Sequence, residues 1–384
     1  MIPNINKRLY LIIFSLLAIS LSSCTNTEYG EGTPGQLVWR TSLLKYTEVN
    51  SSPAVLDGKV YVGSGYWAAG FSGVSRGGIY CLDTETGHAV WSRIYMYQLG
   101  NPDHVEASPA VTNGKLYLHD GVYDAETGEK FWSLEIKTPA VANEHVYLTS
   151  QSGITCVSDN RTNVWETSTE YSGYWADPAV YNGNVYSKNE NGKVVCFNGA
   201  TGAVVWEMTI QDDRIGPISV TDGLVYFISS QERTIKCVNA DTGDSVWNYQ
   251  ITTGPDSKPA LKDGYVYITQ SNRMYCLDAL VGTKIWEQSY GDLVNFNSNP
   301  AVTEKYIYIG AGNLLLCFNR LTGEKEWSYE TEDSVDSSPA VVDGKVYVGS
   351  DDGWLYCIKA PADEDGYWPM YGYNPARTGS ADEE

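Results

Sequence analysis

The sequence predicts an all-β protein, an eight-bladed β-propeller of four-stranded blades whose ring is closed by an N-terminal strand. Three observations lead there. A unit with a period of about 40 residues, the scale of propeller and solenoid repeats, recurs eight times, marked by Pro53, Pro109, Pro139, Pro178, Pro217, Pro259, Pro300 and Pro339. Within each unit the middle runs are apolar on both faces, as in Val60–Val62 and Ile79–Leu82, and no stretch after the N-terminal apolar run has the helical spacing that would supply a cover. Sheets stacked radially around an axis cover one another and leave only short edges. Third, a closing tryptophan can be counted eight times: Trp39, Trp91, Trp132, Trp165, Trp206, Trp247, Trp286 and Trp327.

The chain of 384 residues opens with Lys7 and Arg8, an apolar run from Leu9 to Leu21, and Ser22-Ser23-Cys24. A positive end, a short apolar core and small residues before a cut read as a secretory signal over 1–23, too short for a comfortable membrane span. Residues 24–34 are polar and read as a tether. The net charge of −21, with no basic patch or run, argues against a nucleic-acid partner.

Within a unit, strand A is the Pro-Ala-Val piece and ends in an Asp-Gly or Asn-Gly hairpin signal. Strand B carries a tyrosine in every unit, from Tyr61 to Tyr347, read as packing between blades. Strand C carries Cys81, Cys156, Cys196, Cys237, Cys276, Cys317 or Cys357, with Val122 in the second unit. Equivalent slots in neighbouring repeats are too far apart for a disulfide, so these cysteines are expected to be small buried hydrophobes. A Thr-Gly turn then leads to strand D and its tryptophan. Trp39 has no A, B or C strand before it, and the eighth unit has no D strand of its own. Residues 35–40 are therefore expected to complete the blade begun at Pro339, with Trp368 of the tail as the competing closure. Residues 380–384 form an acidic tail.

Turns alternate between the two faces of a propeller. The insertions, Ser64–Gly78, Ser92–Ala107 and Thr167–Asp177, fall on the face of the B–C and D–A loops. Their aromatics Tyr66, Trp67, Phe71, Tyr95, Tyr97, Tyr171, Tyr174 and Trp175 are candidates for binding a protein or a glycan on a rigid scaffold; the alternative is that they cap the channel mouth. Asp103, His104 and Glu106, and the pair His119-Asp120, lack metal-ligand spacing, and no nucleophile elbow, phosphate loop or dinucleotide fingerprint is present. No catalytic residue and no metal site is assigned.

The Ala-x-x-Thr-Gly-x-x-x-Trp pattern, the GKVYVGS strand and the Asp-Gly-x-Leu-Tyr-Cys turn resemble the repeat named after pyrroloquinoline quinone (PQQ) enzymes, over residues 35–379. Leu21-Ser22-Ser23-Cys24 resembles a lipobox, which implies Cys24 as the lipidated residue. The PQQ-like resemblance implies that the eight closing tryptophans dock neighbouring blades. It has two branches. Quinoprotein dehydrogenases would bring PQQ and calcium, but their adjacent cysteine pair is absent. The BamB lipoproteins of the outer-membrane β-barrel assembly machinery are similar in size, blade number and anchor. That branch implies an exported, membrane-anchored, non-enzymatic protein-binding scaffold with no cofactor, and a protein partner such as a membrane β-barrel. A PQQ-dependent oxidoreductase and a cell-surface glycan binder are the alternatives.

Overall fold

The structure is a computed structural model that describes residues 27–361 except 31–32, 45–46, 67–73, 99–107, 119, 134–138, 143, 151–152, 159, 168–174, 212–215, 253–256 and 292–294. The segment expected to be a signal peptide, Cys24, Trp368 and residues 380–384 lie outside the described residues. Every element among the described residues is a strand. They form eight antiparallel sheets, each in the order A-B-C-D from the axis outward. Blades 1 to 7 span 54–98, 110–133, 140–166, 179–209, 219–250, 260–289 and 301–330. A strands of successive blades touch one another and so line the axis.

Each hairpin between A and B turns on two residues. Asp57-Gly58, Asn113-Gly114, Asn182-Gly183, Asp222-Gly223, Asp263-Gly264 and Asp343-Gly344 all have positive φ at both positions, the geometry that matches the twist of tightly paired strands. The register set by these turns aligns one row of side chains across every blade. In blade 4 it runs Ala179, Tyr186, Cys196, Trp206. The seven repeat cysteines are all buried with free thiols, and burial pushes the Cys196 thiol up to about 12, so they act as core residues.

Blade 8 is assembled from both ends of the chain. Strands A, B and C are Ala340–Val342, Lys345–Gly349 and Trp354–Lys359, and strand D is Leu37–Ser42. The row is reproduced as Ala340, Tyr347, Cys357, Trp39. Even the register shift beside the tryptophan recurs, between Leu37 and Trp39 here and between Cys196 and Phe197 in blade 4. An N-terminal strand closes the ring as expected.

The polar segment before it departs from the reading as a tether. Thr27–Tyr29 is a fifth strand, paired with the outer edge of Leu37–Ser42. A free edge presents unpaired N–H and C=O groups, and the alternating Thr-Glu-Tyr satisfies them. Arg40 holds Glu28 at 2.7 Å, and the Tyr29 hydroxyl donates to the Thr86 carbonyl of blade 1 at 3.0 Å.

Docking between blades depends on the tryptophans. Trp39 is fully buried, and its indole donates to Thr84 O of blade 1 at 3.0 Å. Trp91, Trp165, Trp206, Trp247 and Trp286 donate to Ala125, Gly199, Ala240, Ala279 and Arg320 of the next blade. The Thr-Gly turn receives the ring: a Cβ on Gly87 would lie 2.6 Å from Trp39, and one on Gly202 2.6 Å from Trp165. Both glycines have positive φ, so turn shape and close approach together require glycine. Trp327 packs on Gly35, which stands in the same role for the closing blade.

Candidate functional site

The two faces of the disc differ. On the face of the A–B and C–D turns the blades repeat closely. On the face of the B–C and D–A loops, blade 1 departs from the rest. Its B, C and D strands, Lys59–Tyr66, Val74–Asp83 and Ala89–Gln98, are 8, 10 and 10 residues long, whereas their counterparts in blade 4 are 5, 6 and 6. Pairing continues out to Tyr66 opposite Arg76 and Val74 opposite Gln98. The result is a three-stranded tongue rising from the loop face.

Two contacts brace the tongue at its base. Glu48 and Gly65 exchange backbone hydrogen bonds of 2.9 and 3.1 Å. Tyr95 is half-buried, and its hydroxyl donates to the Tyr123 hydroxyl at 3.0 Å. Tyr123 in turn donates to Asp120 Oδ2 at 2.6 Å, which also accepts from Lys130 at 2.6 Å. Burial, then the bond to Asp120, raises the Tyr123 hydroxyl far above the ordinary tyrosine range. Tyr95 is thus a strut from the tongue to blade 2.

The other candidate aromatics divide into three groups. Tyr66 and Tyr97 lie on the tongue's strands, with side chains outside the described set. Trp67, Phe71, Tyr171 and Tyr174 fall wholly outside the described residues. Trp175 corrects the expectation of an exposed recognition aromatic: it is 1% exposed and meets Phe197 edge-on at 6.2 Å. The reason is local pairing. Trp175 bridges Asn189, and Ala176 N donates to Lys188 O at 2.8 Å, which turns the indole into the core of blades 3 and 4.

Sequence reasoning missed three features. The first is a belt around the channel on the loop face, built by the residues that precede the repeat prolines. Lys258 N donates to Asn299 Oδ1 at 2.7 Å, Asn299 N to Ser338 Oγ at 3.1 Å, Ser338 N to Ser52 Oγ at 2.8 Å and Ser52 N to Ser108 Oγ at 3.0 Å. Gly216 occupies this slot in blade 5 and has no side chain to accept. The fully buried Lys188 crosses that seam instead, with Nζ 3.1 Å from Ile228 O. The signal was present in the run Ser, Ser, Thr, Asp, Gly, Lys, Asn, Ser before the prolines.

The second is an acidic group on the loop side of blade 8. Asp351 carries a buried Oδ1 without a hydrogen-bond donor. Burial first, then the charges of Asp336, Glu48, Asp333 and Asp352, push its carboxyl up to about 7. The third lies on the opposite, turn face. Leu280, Val281 and Leu321 are more than 60% exposed at the C–D turns of blades 6 and 7, where other blades place Glu85-Thr86, Glu126-Thr127 or Asp241-Thr242. Among the described residues no three His, Cys, Asp or Glu side chains converge as a metal-ligand group.

Comparison with known proteins places this geometry. The curated tetrathionate hydrolase of Acidithiobacillus ferrooxidans is 24% identical over 217 residues, half of this chain, and the match spans 36% of that protein's length. Among solved structures, BamB from Moraxella catarrhalis aligns with a TM-score of 0.62 at 17% identity, covering 84% of this chain and 99% of that one. A quinohemoprotein alcohol dehydrogenase from Pseudomonas putida HK5 aligns at 0.61 and 16%, covering 86% and 78%. A europium-containing methanol dehydrogenase aligns at 0.62 and 15%, covering 82% and 84%. At such identities the likeness establishes the shared propeller. The family model described as outer membrane protein assembly factor BamB matches residues 30–206, 75–288 and 122–364. These overlapping matches take in the whole ring, and the chain belongs to that family of PQQ-like propellers.

Proposed function

We propose that this chain is an exported, lipid-anchored scaffold without enzymatic activity, which holds a protein partner on its loop-rich face. The observation that carries the reading is the tongue of blade 1. A propeller needs no such extension to close its ring, and a paired, braced three-stranded projection is a rigid platform for recognition loops. Family membership supports a partner in a membrane assembly complex, with a membrane β-barrel as the expected class. The leader and Cys24 supply the anchor.

Affinity capture of the tagged, lipidated protein from gently solubilised membranes, followed by mass spectrometry, tests this. A stoichiometric membrane β-barrel or a subunit bound to one is expected; recovery of the protein alone contradicts the reading. The oxidoreductase alternative makes a different forecast, a raised Tm and dye reduction on adding PQQ and calcium. The glycan-binding alternative forecasts quenching of tryptophan fluorescence by saccharides.

A further inference from the structure

We propose that the strand Thr27–Tyr29 is a strap that orients the propeller, so that its loop-rich face is turned toward the lipid surface. The inference rests on the anchored reading above and goes beyond it by assigning which face meets the bilayer.

The register supplies the direction. Strand D of blade 8 starts at Leu37, opposite Ile358 at the turn end of strand C, and finishes at Ser42, opposite Trp354 at the loop end. Leu43 N donating to Gly353 O at 3.1 Å fixes that end beside the B–C turn of blade 8. The strap runs antiparallel to this strand. Thr27 pairs with Thr41 near the loop face, and Tyr29 pairs with Trp39 farther toward the turn face. Read backward toward Cys24, the chain therefore leaves the propeller at the rim of the loop face.

Covalent geometry limits how far the lipid can sit from that rim. Three residue steps separate Cys24 from Thr27, and three extended steps span at most about 11 Å. A lipid on Cys24 must then enter the bilayer within that distance of the loop-side rim of blade 8. A free tether of ten or more residues would carry no such constraint.

The strap is held by more than its ladder. The Thr27 and Thr41 hydroxyls lie 3.1 Å apart. Arg40 binds Glu28 and also Glu332 of blade 7, each at 2.7 Å, while its guanidinium sits 4.3 Å over the Trp354 ring. Tyr29 meets His88 edge-on and donates to Thr86 O. The strap thus ties blade 8 to blade 1 through Tyr29, while Arg40 of blade 8 links Glu28 of the strap to Glu332 in the loop after blade 7. The tongue of blade 1 rises from the same face in the adjoining blade, which places it toward partners within the membrane.

The test uses the full lipidated protein on phosphatidylcholine vesicles doped with a headgroup nitroxide lipid. The seven repeat cysteines are buried, so a fluorophore can be directed to one introduced cysteine. Asp333 and Glu324 are both exposed and flank the two ends of the six-residue strand Lys325–Glu330, about 20 Å apart at the rise of an extended strand. The label at Asp333→Cys, on the loop side, should be quenched several-fold more than the label at Glu324→Cys. Glu28→Pro, which breaks the strap, should bring the two values together while the protein still floats with the vesicles. Equal quenching in the unbroken protein, or stronger quenching at 324, overturns the orientation and leaves the anchor intact. A protein that does not float overturns both the anchor and the orientation.

Discussion

Blades 4 to 8 and blades 1 to 3 are built from the same unit and differ in how faithfully they keep it. From blade 4 onward the Tyr-Cys-Trp row is unbroken, and each seam closes a tryptophan on a glycine. In the first three blades the pattern loosens. Blade 2 has Val122 in the cysteine slot. Blade 3 lacks the Thr-Gly turn, and Arg161 takes φ 65° there instead. Trp132, which that turn should receive, is half-buried. Among the described residues, the apolar cluster between blades 2 and 3 has seven buried members, against twelve between blades 4 and 5. The seam where the chain's two ends meet is the better packed. Chain continuity does not decide which seam is tight, and a glycine under the indole is not sufficient alone, since Trp286 and Trp327 pack on Gly323 and Gly35 and are also half-buried. All three insertions lie in the looser arc, consistent with departures from local rules gathering at functional sites.

The largest test removes the closing strand. Deleting residues 25–42 should abolish cooperative unfolding, seen as loss of the calorimetric transition, because blade 8 loses its outer strands and Trp39. Survival of a sharp transition would mean that the tail closes the ring. Next, Trp39→Ala should cost about 3–5 kcal/mol, as expected for a buried Trp. Trp132→Ala should cost less, under about 2 kcal/mol, since less apolar surface leaves water there. Urea unfolding of the two variants reads this directly, and equal losses would erase the distinction between arcs. Arg161→Gly should restore the missing feature. Relief of a left-handed non-glycine residue is worth about 1 kcal/mol, reduced by the extra freedom glycine has in the unfolded chain, so a gain of about 0.5 kcal/mol in urea unfolding is expected.

Much of this architecture was legible in the sequence, because a repeat shows each slot eight times. The prolines, tyrosines and tryptophans set the blade number, and the incomplete first and last units indicated the closure. Trp175 shows where legibility ended. Its neighbours Tyr171 and Tyr174 gave it the look of a loop aromatic, while its burial depends on a bridge to Asn189 that no local pattern encodes. The belt and the Thr27–Tyr29 strap were missed for a related reason. Both depend on which residues become neighbours after the ring closes, and a serine before a proline or a short polar run has no distinctive local signal.

The smallest expected effect concerns Asp351 in the regular arc. Its carboxyl sits at about 7, raised by burial and by acidic neighbours. A raised carboxyl favours the folded state below the ordinary carboxylate range, and that contribution is lost as pH rises through 7. Asp351→Asn should therefore raise Tm at pH 8 and leave it unchanged near pH 4. Because the group is only part-buried, solvent screening holds the gain below about 0.5 kcal/mol. A pH-independent effect would show that the substitution acts through packing.

The decisive measurement compares partner capture by three full-length lipidated proteins under one protocol. They are the unaltered chain, a chain whose tongue is trimmed by replacing residues 66–76 with a two-residue Asn-Gly turn between the paired Gly65 and Gly77, and the turn-face variant Leu280→Glu/Val281→Glu/Leu321→Glu. Each is first checked for an intact unfolding transition. The account predicts that the first and third recover the same membrane partner and that the trimmed chain loses it at least tenfold. Full capture by the trimmed chain, with loss in the turn-face variant, would put the binding surface on the other side of the ring and contradict the account.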